Sequence, residues 1–337
     1  MGRVSRRGFL RNVGTGVAAG CLGAPAVRAG QPPVPQVPRR ILGRTGLSVS
    51  AVGFGGHSWS YARIADPRTG ARRRPTQDEA RQMIRLGLDM GVNYFDGCTP
   101  IHEHTVPGKA LRDLGARKHA VICIRSIHKM KGTKADKQTL HDFIHERLKA
   151  WHTDYADILF AGMATEDYWD MSYAIEALDE IKKKGQARFT GFGSHFSPAN
   201  YRQAIKRYGR HFDICSMPYN VRHRAAEQVF PSADRAGLGI VTIKPFARGS
   251  LFKALKAHEP QATDADLAAK MIRFVLANPR VDVCIPGVHS VDHVRQDFAA
   301  AIKPLAAADR RALQRLASVP TDADDWLEHH WVASTTT

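Results

Sequence analysis

The stretch GVNYFDGCTPIHEH, residues 91–104, delivers Asp96 at the end of an apolar run and then crowds Cys98, His102, Glu103 and His104 behind it. A carboxylate carried by a strand to a turn is placed to hold a cation or to orient a proton donor. His102 has an unperturbed pKa near neutrality and suits the donor role. His102 and His104, with Glu103 between them, also offer metal-ligand types, although HxH on a loop is a weak motif. Farther along, Arg125 ends VICIR and Lys244 follows GIVTI. A guanidinium forks toward a carboxylate, so an Asp96–Arg125 pair is geometrically reasonable. Such a pair either polarises a molecule bound above it or serves structure alone. Lys244 becomes a candidate acid or base if burial lowers its pKa. His57, His128, His195, His223 and His289 follow other apolar runs, so imidazoles accumulate at equivalent places.

Eight such runs must do the positioning. They are SAVGFGG (50–56), NYFDG (93–97), AVICIRS (120–126), YADILFAG (155–162), ARFTGFGS (187–194), DICSMPYN (213–220), GIVTIKPF (239–246) and DVCIPGV (282–288). Each is too short for a helix and is bounded by turn residues. The stretches between them carry helix punctuation. Thr76 with Glu79 makes a capping box, and Gly91 closes that helix. Ser197-Pro198 starts another helix, Lys182–Lys184 before Gly185 ends a third, and Ser290 caps the last. Alternating units of this number predict an α/β chain folded as a (β/α)8 TIM barrel. The open doubly wound sheet is disfavoured, because no GxGxxG follows AVGFGGHSW. RRILGRTGLSVS (39–50), turning near Thr45-Gly46, predicts an N-terminal β-hairpin. Loops after barrel strands are where catalytic groups gather.

The N-terminus reads as an address. SRRGFLR precedes a short apolar stretch and the small residues GAPAVRAG, so residues 1–29 resemble a twin-arginine signal peptide cut after Ala29 or Ala26. Cys21 also weakly resembles a lipoprotein cleavage box. Residues 30–38 form a Pro-rich linker, 39–320 the barrel, and 321–337 a C-terminal tail or lid. The expected location is periplasmic or otherwise extracytoplasmic, with the twin-arginine export machinery as partner. Nothing else in the chain is apolar enough for a membrane span. Net charge is +17, and falls to +12 once the five arginines of residues 1–29 are set aside. The basic runs Arg72–Arg74 and Lys182–Lys184 are short and not interleaved with aromatics, which argues for a solvated face and against nucleic acid. Cys98, Cys123, Cys215 and Cys284 show no CxxC spacing, and the last three sit within apolar runs, as buried small hydrophobes do.

RRILGRTGLSVSAVGFGG, TDYADILF, KKKGQARFTGFGSHF, GIVTIKPFARGSL and FVLANPRVDVCIPGVHSVDHV together resemble the aldo/keto reductases over residues 39 to about 303. The resemblance implies hydride transfer between a nicotinamide nucleotide, NADP or NAD, and a carbonyl or alcohol. It also implies four residues at the barrel mouth: Asp, Tyr, Lys and His. Asp96 matches the first. CTPIHEH holds no tyrosine, Arg125 stands at the lysine, and Gly162 at the histidine. The carboxamide-binding pair falls on Gly193 and Ser194, and Ser216 stands where Gln is frequent. Ile243 takes the place of the stacking aromatic, followed by Lys244 and Pro245. Pro286 and Gly287 keep the adenosine-phosphate loop. Ser290 replaces its basic residue and Asp297 its Asn, which puts NADP specificity in doubt and leaves NAD or a lost nucleotide open.

Three functions fit these residues. One is an exported oxidoreductase for a small, sugar-like substrate, with His102 or Lys244 as the rebuilt acid. A second is a metal-dependent sugar isomerase or lyase using the mouth histidines. The third is a non-catalytic barrel that binds a small molecule.

Overall fold

The described residues all fall within one compact unit, Val34–Thr337. In the computed structural model residues 34–65, 69–98, 100–128, 137–163, 172–193 and 197–316 are described. The expected signal peptide and the expected tail at 321–337 lie outside them.

β1 (Arg39–Ile41) and β2 (Ser48–Ser50) pair antiparallel, Arg40 facing Val49. The expected hairpin is present, and a 3-10 turn at Gly43–Thr45 forms its bend. β3 (Gly53–Phe54) leads into the one-turn helix α1 (His57–Ser60) and a small antiparallel ribbon, β4 (Ile64–Ala65) with β5 (Arg72–Arg73). The remaining strands are β6 (Tyr94–Gly97), β7 (Val121–His128), β8 (Ala156–Met163), β9 (Ala187–Phe192), β10 (Ile214–Pro218), β11 (Gly239–Ile243) and β12 (Val283–Ile285). β3 and β6–β12 form one all-parallel eight-stranded sheet in chain order. A parallel bridge between Val52 and Cys284 joins its two edges, so the sheet curls into a ring. All eight predicted strand runs are found. Several are trimmed at their C-terminal ends, where the chain turns out into the mouth loops.

The helices are α2 (Gln77–Asp89), α3 (His102–Asp113), α4 (Lys137–Trp151), α5 (Ser172–Lys183), α6 (Pro198–Tyr208), α7 (Phe230–Arg235), α8 (Ser250–His258), α9 (Asp264–Leu276), α10 (Val291–Ala300) and α11 (Ala307–Leu316). The capping box at Thr76 forms as read, with Glu79 N–H donating to Thr76 Oγ1 at 3.2 Å and Thr76 N–H to Glu79 Oε2 at 2.8 Å. Gly91 and Gly185 close α2 and α5 through paired bonds of the Schellman type: Val92 N to Gly87 O, and Gln186 N to Ile181 O. Ser197 and Ser290 cap α6 and α10.

Strand alternation sorts the core into two layers. Tyr94, Val121, Cys123, Ile158, Phe160, Ile214, Val241 and Val283 pack together with Leu42 and Val49 of the hairpin inside the ring. The intervening Phe95, Ile122, Ile124 and Leu159 pack outward against Met83, Ile84, Leu111 and Ile144 of the helices. The hairpin therefore plugs the bottom of the barrel. Ser50 and Asn93 lock it to β6 by two mutual bonds, 2.8 and 3.0 Å. Residues 34–38, the end of the expected linker, are also pinned, with Val37 buried and its N–H on Met90 O.

Candidate active site

Asp96 is the penultimate residue of β6 and Arg125 lies toward the mouth end of β7, both on the inner face. Arg125 Nε donates to Asp96 Oδ1 at 2.6 Å, and both side chains are buried. The expected pair is therefore formed. The guanidinium carbon sits 4.1 Å from the centre of the Phe160 ring, which closes one face of the arginine. Burial is the largest single influence and opposes its charge, but Asp96 together with Cys123, Tyr94 and Cys98 holds the Arg125 pKa above its ordinary value. Arg125 Nη2 has no hydrogen-bond partner among the described residues. A buried donor left in this state calls for an acceptor from a ligand.

A cavity of about 640 Å³ opens over this pair. Its floor holds Asp96, Cys98 and Arg125, and one wall is His57, Tyr61 and Glu103. The opposite wall runs from Ile243, Lys244 and Pro245 through Pro286 and Gly287 to Gln296 and Asp297 on α10. Asp96, Arg125, Lys244, Pro245, Pro286, Gly287 and Asp297 thus share one hollow. Gly193, Ser216 and Ser290 do not line it, and Ser194 lies outside the described residues. Ser216 Oγ is buried and has no partner among the described residues.

The expected proton donor His102 is not in the cavity. It is exposed in the first turn of α3, and the helix turns the next residue, Glu103, toward the mouth instead. Glu103 is wholly buried. Its Oε1 accepts from Ser60 Oγ at 2.6 Å and its Oε2 from Cys98 N at 2.8 Å. Gly56 makes this approach feasible, because a Cβ there would stand 2.1 Å from Glu103 Oε2. Burial pushes the Glu103 pKa up to about 7, against the bonds from Ser60 and Cys98. His57 Nε2 lies 3.7 Å from Glu103 Oε1 and half of its ring remains open to the cavity. Burial first, then the Lys244 charge, lowers the His57 pKa to about 4, so the ring is neutral near pH 7.

His104 serves structure. Trp151 Nε1 donates to its Nδ1 at 2.8 Å, so the proton of the neutral ring must be on Nε2, which donates to Cys98 O. Burial lowers its pKa to about 3 and keeps it in that form. His223 is buried with its N–H on Asn220 Oδ1. His289 lines the cavity and its buried Nδ1 lacks a partner among the described residues. His195 and the side chain of His128 lie outside the described residues.

His57, Cys98 and Glu103 bring one nitrogen, sulfur and oxygen atom within 4.8 Å of one another. Both Glu103 oxygens are already engaged, and Lys244 and Arg125 place positive charge beside the trio. That is a poor cradle for a cation and a good one for a proton or an anion. Among the described residues Cys98, Cys123, Cys215 and Cys284 form no disulfide.

The hollow offers features that a nicotinamide nucleotide would need. The volume suits a cofactor site, unpaired polar atoms await a ligand at Arg125 Nη2 and His289 Nδ1, and Gly55, Gly56 and Gly287 present bare backbone to the space. Lys244, with its pKa lowered to about 8 by burial, still carries a proton at pH 7 and can hold an anionic group. At the α10 end burial alone raises the Asp297 pKa to about 7.

The sequence pattern of the aldo/keto reductase family matches residues 52–266. L-galactose dehydrogenase of Arabidopsis thaliana is 26% identical over 288 residues, 77% of this chain and 87% of that protein. The uncharacterized oxidoreductase YqkF of Bacillus subtilis is 23% identical, covering 82% and 95% of the two chains. Among solved structures, the holo form of aldo-keto reductase AKR11C1 from Bacillus halodurans superposes with a TM-score of 0.67 at 25% identity, covering 86% of this chain and 99% of that one. The ring, the plugging hairpin and the mouth cavity agree with that likeness, and the chain belongs to the aldo/keto reductase family.

Proposed function

We propose that this protein is an exported oxidoreductase that moves hydride between a nicotinamide nucleotide and a small, polar, sugar-like alcohol or carbonyl. The observation that carries the reading is the single cavity in which Asp96–Arg125 faces Lys244 and the ends of β11 and β12. Arg125 offers its unpaired Nη2–H to the substrate oxygen, and Asp96 keeps that donor oriented and charged. Lys244, Pro245, Pro286, Gly287 and Asp297 hold the nucleotide. When bound, the nucleotide supplies or accepts the hydride. The protein's own work is to align the oxygen, exclude water and manage the proton.

The α9 and α10 residues on the wall are Asp264, Ala265, Ala268, His293, Gln296 and Asp297. They include two carboxyls and no lysine or arginine, a setting that favours NAD over the extra phosphate of NADP. The similarity to L-galactose dehydrogenase supports a sugar-like substrate, and the arginine pair at Arg6-Arg7 supports export.

Titration of the purified protein with NADH and NADPH, followed by tryptophan fluorescence, tests the reading. NADH is expected to saturate at lower concentration than NADPH, and L-galactose with NAD⁺ is the first turnover assay. Failure of both nucleotides to bind would remove the oxidoreductase reading. Replacing Arg6 and Arg7 by lysine should retain the protein inside the cell, and unchanged export would remove the twin-arginine route.

A further inference from the structure

We propose that His57, backed by the buried Glu103, is the proton-transfer site that takes the place of the tyrosine absent from CTPIHEH. The inference rests on the oxidoreductase reading above for its reaction, and on geometry for its residues.

His57 is the first residue of α1, directly after the mouth end of β3. Its ring is half open to the cavity, while Glu103 behind it is sealed from solvent. The ring therefore has one wet side and one side on a carboxyl group at 3.7 Å. Glu103 is held in place from three directions: Ser60 Oγ, Cys98 N and the bare backbone of Gly56. Tyr61 stands edge-on to the His57 ring, 4.7 Å between centres, and limits its rotation. The charged groups facing His57 are Lys244, Asp96, Arg248 and Arg63; those facing Glu103 are Asp96 and Arg125. Three of the four around His57 are cations, which together with burial keep the free ring neutral and able to accept a proton.

In the oxidising direction the alcohol O–H bond breaks and an N–H bond forms on the His57 ring. The C–H electron pair leaves as hydride to the oxidised nicotinamide nucleotide. The new imidazolium then faces the Glu103 carboxylate, which offsets the charge that Lys244 and the arginines oppose. In the reducing direction the same proton returns to the alkoxide. His57 is the catalytic residue and Glu103 a positioning residue that acts through it.

The test is ring and carboxyl NMR titration of the full chain with labelled histidine and glutamate. At 3.7 Å, ionisation of the Glu103 carboxyl should appear as a step near pH 7 in the His57 ring shifts, a step that Glu103→Gln should remove. In the wild type the Glu103 carboxyl should titrate near pH 7. A wild type whose His57 shifts lack that step, or a Glu103→Gln variant that keeps it, would overturn the pairing. If Glu103→Gln does not fold, His57→Lys is read instead: its fixed cation should pull the Glu103 midpoint below the wild-type value, and an unmoved midpoint overturns the pairing equally. With L-galactose and NAD⁺, His57→Gln should lower turnover by roughly 10²–10⁴ at unchanged NADH affinity. Glu103→Gln should lower it less and displace the pH profile. Full turnover in His57→Gln would overturn the catalytic role. A wild type that binds no nucleotide defeats the proposed function alone, since the titrations still decide the dyad.

Discussion

At the scale of single residues the site is defined by carboxyls in unlike surroundings. Asp96 is paired with Arg125, whereas burial pushes Glu103 and Asp297 up to about 7. Asp96→Ala strands a buried guanidinium and should cost about 3–5 kcal/mol of stability, measured by urea unfolding. The double variant with Arg125→Met should recover part of that loss, because no lone charge then remains. Asp297 behaves oppositely. Its carboxyl, ordinarily near 3.8, binds its proton more tightly folded than unfolded, so stability falls as pH rises from about 4 through 7. Asp297→Asn should therefore raise the melting temperature more at pH 8 than at pH 4, and equal gains at both would contradict the burial cause. Asp96 and Arg125 were legible in the sequence because each ends an apolar run. Glu103 was not, because the choice among His102, Glu103 and His104 depends on the residue at which α3 begins. One residue of helical phase, 100° of rotation, sends His102 to solvent and Glu103 to the cavity.

At the scale of elements the sequence was most informative. Eight apolar runs became eight strands, and the capping residues at Thr76, Ser197 and Ser290 hold the helices they were read to start. Those signals are local: a strand needs its own apolar run and a cap its own hydroxyl. What stayed hidden is tertiary. The family resemblance assigns Gly193 to carboxamide binding; in the structure it does not line the described cavity, and its backbone packs closely on the neighbouring strand. Its φ is +145°, and a Cβ would lie 2.0 Å from Ser216 O on the neighbouring strand. Gly193→Ala should consequently force the end of β9 away from β10 and lower stability by about 1–3 kcal/mol or more. A melting curve, with amide exchange at Phe192 and Cys215, would show it. Wild-type melting together with weakened nucleotide binding would instead restore the binding role to this loop.

Across the whole molecule, stability and chemistry are concentrated at opposite ends of one ring. The hairpin closes the bottom with Leu42 and Val49, both fully buried, and Arg44 N–H bonds Gly237 O just before β11. The mouth keeps a large hollow and unpaired polar atoms. Barrel strands connect the two, and close packing makes the bottom the rigid base against which Asp96 and Arg125 are aimed. Leu42→Ala removes side-chain volume from the plug and should cost about 2–5 kcal/mol, with the unfolding transition remaining single. Because the plug and the mouth pair lie at opposite ends of the ring, its cost should add to that of Asp96→Ala. NADH affinity in Leu42→Ala should stay near wild type at temperatures where the protein is folded. Additive unfolding energies with retained binding are the expected outcome. A coupling energy above about 1 kcal/mol between Leu42 and Asp96 would mean instead that the bottom of the ring sets the geometry of its mouth.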